Sequence, residues 1–386
     1  MNTEKTRVLL VSVGIFGRRY LEELTGGDYD AELVGIVDVA PNLEERYPVI
    51  SKCQIPLFLS MEDFYTEREA DLVIICAPIH LHTEMVRCAL RHGSNVLCEK
   101  PLCADSAETE QMEQLAARNH LILSVGWQLN YDRTVQKIKQ TILSGTFGKP
   151  VRGKCLHGMR RGQIYYGRNN WSGHCLVQGK PVLDSPFMNG CAHTFQMMTY
   201  LLGATMPDAD DILRVDGELY RANPAIENYD IAALRCITRD QIPLLYLTCH
   251  AMARENLGRF AEMEFEKGTL VWKEASSYRF IWRDGREPLD FGPDSSPHFQ
   301  KLRDILACMR GENLPLSLPR TGLPHLHAVL LAQHLPIQPI PVDQVDILEE
   351  GNDRFYCPKN LESILEKAYA ENALPKEIGL SLTGKS

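Results

Sequence analysis

The sequence predicts an α/β protein with two domains: a doubly wound parallel sheet in residues 1–126 and an α/β domain with a mainly antiparallel sheet in residues 127–386. Two observations carry this prediction. Up to Val125, short apolar runs alternate with helix-like stretches of roughly 10–15 residues, which is typical of βαβ units. After Gly126 the runs alternate between apolar and polar residues and are separated by turn dipeptides, which is typical of antiparallel hairpins. The boundary is therefore expected near Val125–Trp127.

The first domain is predicted to hold five strands and three helices. The connections between parallel strands are nearly always right-handed, so a doubly wound topology follows. A glycine, Gly93, closes the second helix as its C′ residue. The strands are Arg7–Val13, Glu32–Val37, Leu72–Cys76, Ser94–Cys98 and Leu121–Val125, and the helices are Arg18–Leu24, Thr83–His92 and Ser106–Asn119.

The second domain is predicted to combine hairpin strands with three helices. Lys267-Gly268 and Asp284-Gly285 mark two of its turns. The strands are Val151–Leu156, Ile231–Ile237, Pro243–His250, Ala261–Phe265, Thr269–Lys273 and Tyr278–Trp282, and the helices are Thr134–Leu143, Cys191–Leu202 and Asn360–Glu371.

Composition excludes several classes of protein. The 386 residues carry 41 Lys and Arg against 50 Asp and Glu, a formal charge of −9, which gives no global attraction for nucleic acid or an anionic membrane. No apolar run approaches the roughly 20 residues that span a bilayer, and we expect no signal peptide. The 12 cysteines are scattered without a C-x-x-C pair, so we expect reduced thiols, a cytoplasmic location and no metal site.

A glycine-containing turn joins the first strand to the first helix. Residues Ser12 to Gly17 follow the dinucleotide pattern G-x-G-x-x-G, except that Ser12 replaces the first glycine. Gly14 lets the backbone approach a pyrophosphate, and Gly17 lets the helix pack closely on the strand. Asp38 ends the next strand, where a carboxylate binds ribose hydroxyls and repels a 2′-phosphate. The pattern predicts a site for NAD rather than NADP; the alternative is a plain βα turn with a solvated aspartate.

Polar residues also follow the third and fourth strands. Ligands bind at the carboxyl ends of parallel strands, so Lys100 is expected at the mouth of the cofactor crevice, where a lysine can shuttle protons. The alternative is a surface ion pair. Pro78, His80 and His82 end the third strand in the same crevice, either as cofactor-facing groups or as residues that only begin a helix.

Two groups in the second domain suit a polyhydroxylated ligand. Asn189 and His193 are four residues apart at the start of a predicted helix, whose positive end favours a neutral imidazole that can accept a hydroxyl proton. Tyr165, Arg168 and Trp171 offer aromatic faces and polar donors for a sugar pocket. The alternatives are a capping asparagine with a packed histidine, and a surface loop with a buried tryptophan.

These residues resemble the Gfo/Idh/MocA family, named for glucose–fructose oxidoreductase, inositol dehydrogenase and a rhizopine-catabolism protein. The resemblance is strong over residues 7–150, in register to Gly203 and weak beyond. It rests on five stretches: Val11 to Gly17, Ala77 to Glu84, Val96 to Leu102 with its Glu99-Lys100-Pro101, Val125 to Trp127 with Gly145 to Gly148, and Asn189 to His193.

The resemblance implies a Rossmann domain followed by an α/β domain with a large open, mainly antiparallel sheet, which often forms an oligomer interface. It implies hydride transfer between NAD(P) and a secondary alcohol or ketone of a sugar, polyol or cyclitol, with Lys100, His193 and Asn189 as catalytic residues. Lys100, Tyr165, Arg168, Trp171, Asn189 and His193 are then the substrate contacts. The cofactor contacts are Ser12, Gly14, Ile15, Phe16, Gly17, Asp38, Ala77, Pro78, His80, His82, Glu99, Lys100 and Gln128.

Three positions depart from the family's pattern. Asn189 stands where the family has an aspartate, Ser12 replaces a glycine, and Asn130 replaces an arginine. Asn189 cannot stabilise an imidazolium by charge, so Lys100 would carry more of the proton transfer or His193 would stay neutral. The alternatives are an enzyme of the same fold that recycles NAD while it cleaves a glycoside, and a non-enzymatic dinucleotide sensor. We expect a homodimer or homotetramer, by analogy with the family.

Overall fold

The computed structural model describes residues 5–273 and 276–383. The chain divides into two compact units. The first contains residues up to Tyr131 together with Pro297–Gly322, and the second contains Asp132–Ser296 and Leu323 onward. The segment Pro297–Gly322 therefore belongs to the first unit although it lies late in the sequence. A single boundary near residue 126 does not describe this return of the chain.

The first unit is built on a six-stranded parallel sheet, as the alternating pattern predicts. Its strand order is β3-β2-β1-β4-β5-β6, so the chain reverses direction across the sheet between β1 and β4. Strand β3, which was not predicted, has only two residues and so shows no recognisable apolar run in the sequence. The strands are β1 (Thr6–Val11), β2 (Ala31–Val37), β3 (Leu57–Phe58), β4 (Leu72–Ile75), β5 (Asn95–Cys98) and β6 (Leu123–Val125).

Helices follow the strands of this sheet. Gly93 has φ of +77°, as expected for the residue that closes the second predicted helix, and that helix begins one turn earlier than predicted because Pro78 precedes it. The helices are α1 (Gly17–Gly26), α2 (Leu43–Arg46), α3 (Val49–Lys52), α4 (Met61–Glu67), α5 (Ile79–Arg91), α6 (Ser106–Arg118) and α10 (Gln300–Met309), with a 3₁₀ turn at Gln128–Tyr131.

Helix α10 completes the core of the first unit. Its Leu302, Ile305 and Leu306 are buried in the same apolar cluster as Val8 and Leu10 of β1. The amphipathic spacing of α10 indicates a helix but not its packing partner. That partner, β1, lies almost 300 residues earlier in the chain, so the sequence pattern alone did not place α10 in the first unit.

Strand register brings the functional ends of this sheet to one edge. Val11 pairs with Val37 and Ile75, Ile75 pairs with Cys98, and Cys98 pairs with Val125. The strands are parallel, so the residues that follow each of these positions leave the sheet on the same side.

The second unit is built on a nine-stranded sheet with the order β16-β15-β14-β13-β7-β12-β11-β10-β17. Most neighbours are antiparallel, and β7/β12 and β10/β17 are parallel. The strands are β7 (Pro150–Met159), β10 (Ile212–Arg221), β11 (Ile231–Thr238), β12 (Pro243–Cys249), β13 (Asn256–Phe265), β14 (Gly268–Lys273), β15 (Tyr278–Trp282), β16 (Leu289–Gly292) and β17 (Ile337–Pro339). The predicted mainly antiparallel sheet is confirmed; the charged first half of β10 concealed that strand.

Helices cover both faces of this sheet. Alternation along β7 puts Gly153 against Met198 of α9, while Lys154 lies over the ring of Tyr369 in α12. The helices are α7 (Arg133–Leu143), α8 (Gln163–Gly167), α9 (Ala192–Leu202) and α12 (Leu361–Glu371); α11 (Pro319–Ala332) begins in the first unit and continues into the second. Two hairpins complete the unit: β8 (Leu176–Val177) with β9 (Lys180–Pro181), and β18 (Val345–Glu350) with β19 (Asp353–Pro358).

Three further observations concern the cysteines, membrane spans and metal sites. All 12 cysteines are free thiols, as their scattered spacing predicts. Within the described ranges, no helix is both long and apolar enough to span a bilayer. In the same part of the chain, no group of three or more His, Cys, Asp or Glu side chains could hold a metal ion.

Candidate functional site

The turn after β1 keeps the shape of a glycine-rich turn although serine begins it. Ser12 has φ of +69°, the left-handed region that glycine favours, and its N–H donates to the carbonyl of Val37 at 2.8 Å. A Cβ on Gly17 would lie 1.9 Å from the carbonyl oxygen of Ser12, so only glycine fits there. Ser12 therefore preserves the close approach of α1 to β1 that the motif requires.

The first turn of α1 can hold an anion. Helix α1 begins at Gly17, and its first turn contains Arg18 and Arg19 and no acidic residue. Ile15, in the turn itself, is 70% exposed, so this face is open to solvent. The positive end of the helix dipole and the two arginines of this turn fit a pyrophosphate.

Asp38 fixes the turn and borders an acidic cavity. Its carboxylate oxygens accept from the N–H groups of Val13 at 2.6 Å and Ala40 at 2.8 Å. The adjacent cavity is about 300 Å³, and its described lining includes Asp38, Glu44 and Glu45 but no lysine or arginine. Three carboxylates disfavour a 2′-phosphate, which fits NAD better than NADP.

His82 ties two strand ends together. Its ring is buried; Nε2 lies 2.7 Å from the carbonyl oxygen of Ala77, and Nδ1 lies 3.0 Å from those of Pro101 and Leu102. Burial lowers the pKa of this histidine. The ring thus connects the segment after β4 to the segment after β5, which fits the structural alternative better than direct contact with a cofactor.

Glu99 is held inside the first unit by Lys301 of α10. Lys301 is 1% exposed and forms an ion pair with the Glu99 carboxylate, which also accepts from the Tyr20 hydroxyl at 2.7 Å. Burial and the Glu99 charge raise the pKa of Tyr20. Lys301 also lies 4.8 Å from the ring centroid of Phe16, in the glycine-containing turn. The Glu99 side chain is therefore part of the support beneath the crevice.

Lys100 follows Glu99 at the carboxyl edge of the sheet. Its side chain is partly exposed, and its peptide bond to Pro101 is cis. Pro78 and His80, after β4, and Gln128, after β6, are also partly exposed. The register of β4, β5 and β6 brings these predicted residues to the same edge of the sheet as the turn at Ser12.

In the second unit, a π-helical turn at Pro186–Gly190 leads into α9. Asn189 lies in that turn, and His193 is the second residue of α9, close to its positive end. Between residues 184 and 201, only Asn189, Gly190 and His193 are not buried. The structure thus exposes the two predicted polar side chains on an otherwise buried segment.

A buried carboxylate, Asp184, lies beside the turn at Asn189, five residues earlier in the chain. The Asn189 amide donates to Oδ1 of Asp184 at 3.0 Å, and the N–H of Gly173 donates to Oδ2 at 2.7 Å. Asp184 is 2% exposed. It connects the turn at Asn189 to the loop that carries Arg168 and Trp171.

The predicted aromatic group is assembled around Tyr165. The Cζ atom of Arg168 lies 3.8 Å from the Tyr165 ring centroid and 5.7 Å from that of Trp171. Asn169 accepts from the N–H groups of Trp171 and Ser172, which fixes this loop. Trp171 is only partly buried, so its loop is not merely packed in a core.

His250, after β12, joins the aromatic group to the turn at Asn189. Its Nδ1 lies 3.0 Å from the Tyr166 hydroxyl, and a Cβ on Gly190 would lie 2.3 Å from its Nε2. Sequence reasoning missed His250, Asp184 and Lys301, because each acts on a partner that is distant in sequence or lies outside a recognised motif.

Comparisons with known proteins agree with this architecture. The sequence model of the GFO_IDH_MocA oxidoreductase family, NAD-binding Rossmann fold, matches residues 6–127. Inositol 2-dehydrogenase 1 of Saccharopolyspora erythraea is 24% identical over 51% of this chain and 55% of its own length. Myo-inositol 2-dehydrogenase of Thermotoga maritima is 26% identical over 56% of this chain and 61% of its own length. The matched region thus spans little more than half of each relative.

Solved structures match over most of the chain. The WlbA dehydrogenase of Bordetella pertussis, in complex with NADH and UDP-GlcNAcA, has a TM-score of 0.70 at 21% identity and covers 86% of this chain and 96% of that one. GenD2 from gentamicin A biosynthesis, in complex with NAD, has a TM-score of 0.68 at 14% identity and covers 86% and 94%. At these identities the likeness establishes the fold. The family model, which matches residues 6–127, identifies that segment as an NAD-binding Rossmann domain of the Gfo/Idh/MocA oxidoreductase type.

Proposed function

We propose that this protein is an NAD-dependent oxidoreductase that interconverts a secondary alcohol and a ketone on a sugar, polyol or cyclitol. The observation that carries the proposal is the strand register, which gathers Ser12, Asp38, Pro78 and Lys100 at one edge of the parallel sheet. The relatives named inositol dehydrogenases support this substrate class.

The bound nicotinamide supplies the hydride chemistry. The turn from Ser12 to Gly17 binds the pyrophosphate, and Asp38 accepts hydrogen bonds from the adenosine ribose. Ile15, Phe16, Ala77, Pro78, His80, the Glu99 backbone and Gln128 complete the cofactor contacts. Because the cavity beside Asp38 is acidic, the protein selects NAD over NADP.

Lys100 and His193 manage the hydroxyl proton. Lys100 is partly exposed at the cofactor edge, and His193 is partly exposed at the positive end of α9, which favours its neutral form. A neutral imidazole accepts the proton that leaves the hydroxyl during oxidation. Asn189, oriented by Asp184, hydrogen-bonds the same substrate oxygen, and Tyr165, Arg168 and Trp171 bind the rest of the substrate.

The first experiment is calorimetric titration with NAD and, separately, NADP, after the absorbance has been checked for co-purified nucleotide. We expect the protein to bind NAD more tightly than NADP. We expect the Asp38→Asn variant to show a smaller difference between its affinities for the two nucleotides. Lys100→Met should abolish turnover with a sugar or cyclitol. It should leave the affinity for NAD within about threefold of the native value. Retained turnover would remove Lys100 from the mechanism, and failure to bind either nucleotide would contradict the proposed function.

A second candidate is a sugar-converting enzyme that recycles tightly held NAD. One relative over 40% of this chain, at 27% identity, is named 2,7-anhydro-N-acetylneuraminate hydratase, and hydration involves no net oxidation. This candidate predicts nucleotide that stays bound through purification and product release without net NADH. Stoichiometric NADH would exclude it.

Assembly and location remain predictions. We propose a homodimer or homotetramer, which light scattering in solution would measure. The 12 free thiols support a reducing compartment such as the cytoplasm.

A further inference from the structure

Two arginines converge on the ring of Tyr165. The Cζ atom of Arg161 lies 4.7 Å from the ring centroid, and that of Arg168 lies 3.8 Å from it. The short helix α8 lies between the two arginines in sequence and brings both onto one ring. Two positive charges around one ring are stabilised by a negative charge beside them.

Neither Arg161 nor Arg168 forms an ion pair within the described part of the chain. Arg168 donates from Nε to the neutral hydroxyl of Ser172 at 3.3 Å. Arg161 contacts the sulfur of Met159 at 4.0 Å through a terminal nitrogen, and its buried Nε has no hydrogen-bond partner. By contrast, the preceding residue, Arg160, forms an ion pair with Glu350 at 2.6 Å.

The nearby carboxylate is engaged elsewhere. Asp184 accepts from the Asn189 amide and from the N–H of Gly173, and neither arginine forms an ion pair with it. Burial and the charge of Asp184 raise the pKa of Tyr165, so the phenol stays neutral and cannot compensate the two cations. Two guanidinium groups against one carboxylate therefore leave a net positive charge beside Tyr165.

We propose that Arg161 and Arg168 bind an oxyanion on the substrate, a carboxylate or a phosphate. The guanidinium fork matches both groups through paired hydrogen bonds. This inference rests on the proposed function and names its substrate class: an acidic or phosphorylated sugar rather than a neutral polyol. Tyr165 holds the two guanidinium groups in place, and Trp171 offers an apolar face to the sugar ring.

The test is calorimetry with matched probes, with and without NAD. D-glucose, D-glucuronate and D-glucose 6-phosphate differ only at carbon 6, and UDP-glucose carries its phosphates at carbon 1. We expect at least one charged probe to bind more tightly than glucose by about tenfold or more, as a charge-assisted hydrogen bond allows. Glucuronate or the phosphate esters would identify which oxyanion is bound.

Arg161→Gln and Arg168→Gln should each weaken that binding by about tenfold to a hundredfold. Arg168→Lys keeps the charge but loses the fork, so it should recover only part of the affinity. Arg254→Gln is the control: it removes an exposed arginine of the same unit that already pairs with Glu366. Thermal unfolding of each variant verifies that it is folded.

Equal binding of glucose and all charged probes, or no binding of any charged probe, would overturn the inference. So would an equal loss in Arg254→Gln. NAD binding is read separately: a chain that binds the charged probe through its arginines but binds no NAD keeps the oxyanion site and loses the proposed function. A chain that binds NAD and oxidises only neutral sugars keeps the proposed function and loses the oxyanion site.

Discussion

The Asn189 amide donates a hydrogen bond to the carboxylate of Asp184 at 3.0 Å. The family resemblance implies an aspartate at position 189, whereas in this chain the negative charge beside the turn belongs to a residue five positions earlier. Because Asp184 is buried and also accepts from Gly173, that charge is fixed in place. The hydrogen bond thereby fixes the position of the Asn189 amide.

Restoring the aspartate should therefore harm the protein. Asn189→Asp puts a second carboxylate against a buried one, and the two cannot both ionise without repulsion. One pKa rises above its unfolded value, so the variant binds more protons folded than unfolded, and its stability falls as pH rises from about 4. We expect a loss of about 1–3 kcal/mol near neutral pH, smaller near pH 4, measured by urea unfolding.

The matched control is Asn169→Asp. Asn169 uses its side-chain oxygen to accept from two backbone N–H groups, and a carboxylate accepts both equally well. If Asn189→Asp were as stable as the native protein at neutral pH, the arrangement around Asp184 would be wrong.

Gly17 should be the least replaceable residue of the cofactor turn. An added Cβ would lie 1.9 Å from the Ser12 carbonyl oxygen, a backbone atom that cannot move aside without opening the turn. We expect Gly17→Ala to weaken NAD binding by at least about a hundredfold, or about 2.7 kcal/mol, in calorimetry. Gly26→Ala, at the other end of α1, has nothing within 4 Å of its new Cβ and should keep native affinity. Equal affinities for the two variants would show that the turn tolerates a side chain.

Lys301 should be essential because it neutralises a carboxylate that is only 12% exposed. Lys301→Met removes this cation and leaves the Glu99 carboxylate with the hydrogen bond from the Tyr20 hydroxyl. Removing one partner of a buried ion pair costs about 3–5 kcal/mol, whereas replacing both is much milder. We expect the double variant Lys301→Met with Glu99→Gln to recover most of the loss in urea unfolding. An additive double variant would mean that the two side chains are not coupled.

The fold was largely predictable because its signals are local. The apolar runs at Val8–Val11 and Leu72–Ile75 are buried on both faces, as a parallel sheet requires, and their spacing leaves room for one helix each. The return of α10 was not predictable: its spacing marks a helix, but nothing in it specifies that Leu302 packs with Val8 rather than with nearer strands.

The site divides in the same way. Gly17 and Asp38 lie at fixed distances from a strand, so the sequence identifies them. Lys301 was missed because its role arises from a tertiary contact with Glu99, and Asp184 was missed because it lies outside the motif, although it is only five residues from Asn189. Serine at position 12 looked like a defect in the motif, yet its backbone adopts the conformation that glycine favours. A motif constrains backbone shape first, and residue type only where space or φ demands it.

Lys139 should make stability depend on pH above neutrality. It is fully buried in α7, its ammonium lies 3.8 Å from the ring centroid of Tyr200, and it donates to the carbonyl of Asp208. Burial lowers its pKa from 10.5 to about 7, although the charge of Asp208 opposes the change. Between these values the unfolded chain binds more protons than the folded one, so the free energy of unfolding rises with pH, by at most about 1.4 kcal/mol per unit.

The variant Lys139→Met should remove this increase. The control variant Lys137→Met, at an exposed lysine two residues earlier, should keep it. The measurement is urea unfolding of the native protein and the two variants at about pH 7 and pH 9. All other titrating groups are common to the three proteins, so their contributions cancel when the changes in unfolding free energy are compared. Parallel pH profiles for the native protein and Lys139→Met would show that Lys139 keeps its charge in the folded state throughout this range.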